Sequence, residues 1–152
     1  MNTNSSSISI SAATAPHIPG IYALVEELAV YEKARHEMTM TLDAYHSAFA
    51  EGQFEAIVAL MNDQVVGTCI YYDTFSTWKG KMLYLEDFVV KEDHRRYGIG
   101  QLLYDRLLEI AREKKCSLAK WQVLDWNDPA VAFYKKNGAT IEKEWWNCKV
   151  LL

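Results

Sequence analysis

Three observations predict a mixed α/β fold in one domain. Apolar runs typical of strands alternate with runs spaced every three or four residues, as in amphipathic helices. A basic, glycine-bearing turn stands between the clearest strand pattern and the clearest helix pattern. The chain has 152 residues, 50% hydrophobic and 24% charged, enough for a real core.

The elements follow in order. Residues 1–7 are polar, lack an apolar signal core and predict a flexible tail, with a single domain over residues 8–152. Residues 7–11 alternate serine and isoleucine, a short strand. Pro16 and Pro19-Gly20 punctuate the entry to a helix whose apolar stripe is Ile18, Ile21, Leu24, Val25 and Leu28. Residues 42–49 predict a second helix, and Gly52 breaks the chain after it. Residues 54–61 and 65–72 are β-rich and joined by Asn62-Asp63-Gln64, a hairpin turn. Residues 73–80 read as a loop, and residues 81–91 as the strand leading into the glycine turn. The next helix starts near Gly98 and buries Ile99, Leu103, Leu107, Ile110 and Ala111. Residues 118–124 predict a strand. A short helix opens at residues 125–129 and ends at Lys135-Lys136-Asn137-Gly138, with Gly138 as its cap. Residues 145–152 predict a final strand.

Charge and composition remove several function classes. Twenty acidic against 16 basic residues give a net charge of -4, which disfavours nucleic acid and suits a cationic substrate. Cys69, Cys116 and Cys148 form no pair motif, as expected of a reducing cytoplasm. His17, His36, His46 and His94 have no metal-ligand spacing, so no metal is expected. No apolar run is long enough to span a membrane.

Three constellations carry chemistry. The first is His94-Arg95-Arg96-Tyr97-Gly98-Ile99-Gly100-Gln101. Glycines let backbone N–H groups approach an anion, and a helix N-terminus adds its positive dipole end. The nucleotide-hydrolase loop needs Lys and Ser or Thr after the second glycine, where Gln101 and Leu102 stand. The dinucleotide fingerprint needs a third glycine, where Leu103 stands. What remains is Arg-x-x-Gly-x-Gly, which by itself is either a phosphate cradle or a loop with two solvated arginines. The second constellation runs from Trp126 to Ala139: Asn127 or Asp128 can cap a helix, Pro129 suits its first turn, and Tyr134 follows beside Phe133. Alone, Tyr134 reads as a half-buried core residue. The third is Glu86-Asp87 inside a strand pattern. Alternation sends the two acids to opposite faces unless a bulge reorients one. One of them can face a substrate amine and orient or deprotonate it.

Taken together, Arg95 to Gly100 and Asn-x-x-Ala-x-x-Phe-Tyr-x-x-x-Gly-Ala over residues 127–139 resemble the GNAT superfamily of acetyl-CoA-dependent N-acetyltransferases. Three further stretches narrow the resemblance to the spermidine/spermine branch, which includes diamine and thialysine enzymes: residues 27–32, residues 71–81, and Leu-Tyr-Leu-Glu-Asp-Phe-x-Val over residues 83–90. The resemblance covers most of residues 8–139. It implies a mixed, mostly antiparallel sheet of about six to seven strands with about four helices and a splayed strand pair that binds CoA. It also implies a homodimer and a small-molecule amine substrate, with neither nucleic acid nor membrane as partner. The apolar, tryptophan-rich C-terminal strand is a candidate partner surface.

Residue roles follow from the resemblance alone. Arg95, Arg96, Tyr97, Gly98, Ile99, Gly100 and Gln101 would hold the CoA pyrophosphate. Phe88, Val89 and Val90 would hold the acetyl and pantetheine groups through their amides, Asn127 would bind the pantetheine arm, and Pro129, Ala130, Tyr134 and Asn137 would also contact the cofactor. Glu86 would be the base or amine-orienting acid, and Tyr134 the general acid. Tyr31, Glu32, Trp78, Asp87, Lys120, Trp121 and Gln122 would line the acceptor site. An aliphatic ammonium with a pKa of ~10.4 must lose a proton before it attacks the thioester. Glu86 would take it through ordered water, an N–H near Val89 would stabilise the oxyanion, and Tyr134 would protonate the departing thiolate. Two departures stand out. Arg96 occupies a position where close relatives often have glycine, and polyamine enzymes extend further past the place of Trp145-Trp146. A changed acceptor preference is therefore expected, with Glu142 and Glu144 as candidate replacement acids. A protein or peptide N-acetyltransferase and a non-catalytic acyl-CoA-binding module are the alternatives.

Overall fold

The structure, a computed structural model, describes residues 7–152. The tail expected over residues 1–7 lies, but for Ser7, outside the described residues. The chain divides into two compact units, the first ending at Trp121 and the second covering Gln122–Leu152.

The first unit is a five-stranded sheet in the order β1-β2-β3-β4-β5, covered by helices on both faces. The strands are β1 (Ile8–Ala12), β2 (Glu55–Met61), β3 (Gln64–Ser76), β4 (Gly80–Val90) and β5 (Leu118–Lys120). The helices are α1 (Ile18–Tyr31), α2 (Leu42–Ala50) and α3 (Ile99–Glu113). β1 to β4 form an antiparallel meander, and α3 carries the chain over to β5, which pairs parallel with β4.

β2 shows why the sheet takes two helical layers. Ile57 and Ala59 face α3, where Ile99, Leu103, Leu107, Ile110 and Ala111 are buried as the stripe predicts. Ala56 and Val58 face α1, where Ile18, Ile21 and Val25 are buried. A strand buried on both faces reads as a continuous apolar run, and Ala56-Ile57-Val58-Ala59-Leu60 is one. Gly67 on β3 brings α3 close: a Cβ there would stand 2.9 Å from Leu103 Cδ1 and 3.2 Å from Ile99 Cγ2.

Three expectations are corrected, and the strand count among the described residues is five rather than six to seven. Residues 73–76 are strand rather than loop. Asp and Ser are poor strand formers, but here they pair with residues 80–83 of β4, so the ladder overrides propensity. The strand expected over 118–124 stops at Lys120, opposite Tyr84. Trp121 turns instead onto α3, its ring edge-on to Tyr104 at 5.9 Å. Residues 145–152 form no strand. Their β-rich composition has no hydrogen-bonded neighbour strand among the described residues, and a strand needs one.

The second unit contains α4 (Asp128–Lys136). The Asn127 side chain caps it by accepting from the Ala130 N–H. At the other end, Gly138 at φ +83° closes it, with Gly138 N–H donating to Lys135 O and Ala139 N–H to Tyr134 O.

Candidate active site

The site begins with a bulge. Asp87 pairs with Ile70, and Leu85 with Tyr71, so Glu86 is the extra residue between two paired neighbours. The insertion reverses the alternation of β4. Leu85 and Phe88 both face α3, whereas Tyr84 and Asp87 lie opposite Tyr72 and Ile70 on the α1 and α2 side. Glu86 reaches the same side: the Tyr72 hydroxyl donates to its Oε2 at 3.2 Å. The two carboxylates that strict alternation would separate therefore share one face.

Aromatic residues frame them. Tyr72 and Tyr84, directly opposite across the β3–β4 ladder, stack with centroids 5.4 Å apart. From α2, Tyr45 meets Tyr22 of α1 edge-on at 5.0 Å. Glu32, at the C-terminal end of α1, completes the set.

The electrostatics are those of an uncompensated acidic site. Burial, then Glu86, then Glu32 push the Asp87 carboxyl up to about 7. Burial also raises Glu32. Tyr45 is pushed up to about 12 by burial first and by Asp87 next. Tyr72 is pushed up to about 12 by burial, then by the charge and hydrogen bond of Glu86. Such a place favours a cation, whose charge would relieve all of these groups.

The glycine turn lies just beyond β4 and is held from two sides. Glu27 of α1 accepts from the Glu92 N–H at 2.9 Å. Arg95 folds back, its Nε donating to Val90 O at 3.2 Å and its guanidinium standing 5.6 Å from the centre of the Tyr31 ring. Gly98 at φ +75° starts α3 with no side-chain cap, so the first-turn amides of Ile99 and Gly100 are left to the helix N-terminus. Arg96 itself stands at φ +81°, a left-handed conformation that favours glycine. Beyond Tyr84, β4 has no β5 partner, so residues 85–90 present an open backbone edge that leads to this turn.

The structure brings together Glu86, Asp87 and Glu32, and places Tyr31 and Arg95 beside one another. It does not bring Trp78 to the acids. Trp78 is 83% exposed at the tip of the β3–β4 hairpin, and the strand from Gly80 to Glu86 beyond it spans about 20 Å. Lys120 is exposed beside Tyr84, and Trp121 packs on α3. In the second unit, Gln122 Nε2 donates to Asn147 Oδ1 at 2.6 Å, and Tyr134 lies on α4 with its ring edge-on to Phe133. Sequence reasoning missed Tyr22, Tyr45, Tyr72 and Tyr84. Only Tyr84 carried a readable signal, two residues before Glu86 on a strand. Among the described residues no cluster of His, Cys, Asp and Glu suits a metal.

Comparison with known proteins fits this geometry. Residues 19–139 match the acetyltransferase (GNAT) family. The chain is 39% identical over 140 residues to the thialysine N-epsilon-acetyltransferase of Bos taurus, covering 84% of this chain and 82% of that protein. It is 34% identical over 139 residues to the spermidine/spermine N(1)-acetyltransferase-like protein 1 of Homo sapiens, covering 86% of this chain and 20% of that longer protein. In fold, it superposes with a TM-score of 0.79 on an aminoglycoside acetyltransferase from an uncultured soil metagenomic sample, 19% identical, over 95% of this chain and 96% of that one.

Proposed function

Because this chain belongs to the acetyltransferase (GNAT) family, it is an acyltransferase, and we propose that it moves the acetyl group of acetyl-CoA onto a primary amine of a small cationic molecule. Diamines, polyamines and lysine-like acceptors such as thialysine make up the acceptor class. The observation that carries this reading is the placement of Glu86, Asp87 and Glu32 around one aromatic-walled face, on the strand that leads into the glycine turn.

The residues fit the co-substrate. The uncapped start of α3, the left-handed Gly98 and the side chain of Arg96 suit a pyrophosphate. The open β4 edge at Phe88, Val89 and Val90 suits an extended, amide-bearing arm. Bound there, acetyl-CoA supplies an activated thioester. The acidic face draws in the ammonium and removes its proton, and the freed lone pair forms the new N–C bond as the C–S bond breaks. Tyr134 gives its hydroxyl proton to the departing sulfur and regains one through water as the acylated nitrogen sheds its second proton.

The remaining parts of the reading concern context. We propose one domain over residues 8–152, acting in the cytoplasm on a soluble amine, with neither nucleic acid nor membrane involved. The net charge of -4 supports this, and no helix among the described residues is long and apolar enough to cross a membrane. We also propose a homodimer. Trp145, Trp146, Val150 and Leu151 are 66%, 89%, 84% and 88% exposed in a segment without strand partners, and a second copy would cover them. Sedimentation equilibrium is expected to return twice the 17.5 kDa chain mass, and Trp146→Asp to weaken the association. A wild-type monomer at micromolar concentration would show the dimer to be wrong.

The decisive experiment is CoA release from acetyl-CoA across diamines, polyamines, thialysine and amino acids. Turnover is expected with at least one diamine or lysine-like amine. Tyr134→Phe is expected to lower kcat by about 10²-fold with little change in KM for the amine. No release with any amine would refute the reading.

A further inference from the structure

The two acids of β4 share a face but not an environment, and the difference separates their roles within the amine-acetylation reading, on which this inference rests. Glu86 is the bulged residue, exposed, with Oε2 already accepting the Tyr72 hydroxyl at 3.2 Å. Behind that hydroxyl, the Tyr72 ring stacks on Tyr84. The carboxylate is solvated and aimed by a phenol that is itself held by packing, which suits an orienting contact.

Asp87 is in the regular ladder opposite Ile70, partly buried on the face formed with α1 and α2. The ionisable groups that bear on this place are acidic or phenolic from every element around it: Glu86 and Tyr84 from β4, Tyr72 from β3, Glu32 and Tyr22 from α1, and Tyr45 from α2. Among the described residues, the charged groups that shift it are both acids, Glu86 and Glu32. A carboxylate so placed is short of both water and counter-charge. An incoming ammonium supplies the counter-charge, and a proton transferred from it removes the charge altogether.

We propose that Asp87 is the group that takes the proton from the bound amine, and that Glu86, held by Tyr72, is the group that orients it. The N–H bond of the ammonium breaks, the proton passes to an Asp87 oxygen, and the electron pair stays on nitrogen for attack. The attached nitrogen sheds its second proton to water as the C–S bond breaks, and Asp87 returns the first to water once the uncharged amide has left. The carboxyl's elevation to about 7 by burial, Glu86 and Glu32 matches this task, since a base works best near the operating pH.

The test is the pH dependence of kcat/KM for the amine in wild type, Asp87→Asn, Asp87→Glu, Glu86→Gln and Tyr72→Phe, with circular dichroism and acetyl-CoA binding confirming each fold. Wild type is expected to lose activity below about pH 7. Asp87→Asn should lower kcat by about 10²-fold or more and abolish that acid limb. Asp87→Glu should recover part of the rate with a displaced limb. Glu86→Gln and Tyr72→Phe should raise KM for the amine severalfold and keep the limb, moved to lower pH in Glu86→Gln because the Glu86 charge no longer raises Asp87. A limb that survives Asp87→Asn and vanishes in Glu86→Gln overturns the assignment while leaving amine acetylation standing. A wild-type protein that acetylates no amine overturns both.

Discussion

Asp87→Asn is expected to raise the melting temperature at pH 8 and to raise it far less at pH 4. The wild-type carboxyl is lifted from the usual value near 3.8 to about 7, by burial first and by Glu86 and Glu32 next. The native state therefore binds a proton that the unfolded chain has already released across that window. Stability falls as pH rises through it, and the full cost is present above pH 7. At about 1.4 kcal/mol per pH unit, the ceiling on that cost is about 4 kcal/mol. Asparagine has no charge to desolvate, so the variant escapes the cost where wild type bears it. A gain on the order of 5–10 °C at pH 8 follows for a chain of this size. Thermal melts of both proteins at the two pH values measure it. Equal melting temperatures at pH 8 would show that the carboxylate is not held against its charge. The same substitution should remove most turnover, the pattern expected where a site keeps a group that the fold would be more stable without.

Gly67→Val carries the largest expected loss. Its Cβ would stand 2.9 Å from Leu103 Cδ1, 3.2 Å from Ile99 Cγ2 and 3.4 Å from the Val89 carbonyl oxygen, before the two added methyls are placed. Leu103 and Ile99 are 0% and 1% exposed, so neither has an open direction in which to yield. Overpacking of this kind costs about 3 kcal/mol. The only relief is for α3 to lift from the sheet, and α3 begins at the glycine turn. Chemical denaturation should show the stability loss, and KM for acetyl-CoA should rise more than KM for the amine. A variant of unchanged stability would mean that α3 is not seated on β3 at Gly67.

Much of the fold was legible. Every apolar position expected on α3 is buried, because an amphipathic helix over a sheet leaves one periodic solution. The ends of α4 were legible for the same kind of local reason, Asn127 capping one end and Gly138 closing the other. The strand expected over residues 145–152 was not borne out, since a β-rich run records a preference and not a partner. Residues 73–76 erred in the opposite direction, polar residues made into strand by the ladder they joined.

For the site, the dividing line is between motif and register. The glycine turn, its position between a strand and a helix, and the acids two and three residues beyond Tyr84 are written in the sequence itself. By itself that turn reads equally as a phosphate cradle or as a loop with two solvated arginines, and the net charge of -4 only suits a cationic acceptor. Tertiary structure alone decided that Glu86 and Asp87 share a face, because the one-residue bulge arises from pairing between β3 and β4. It decided that Arg95 turns back to Val90 and Tyr31, and that four tyrosines from two helices and two strands surround the acid pair. The physical reason is common to all of these. Spacing along a chain determines what a residue does within its own element. The environment of a charge is set by groups far away in sequence, and these meet only when the sheet closes against α1 and α2.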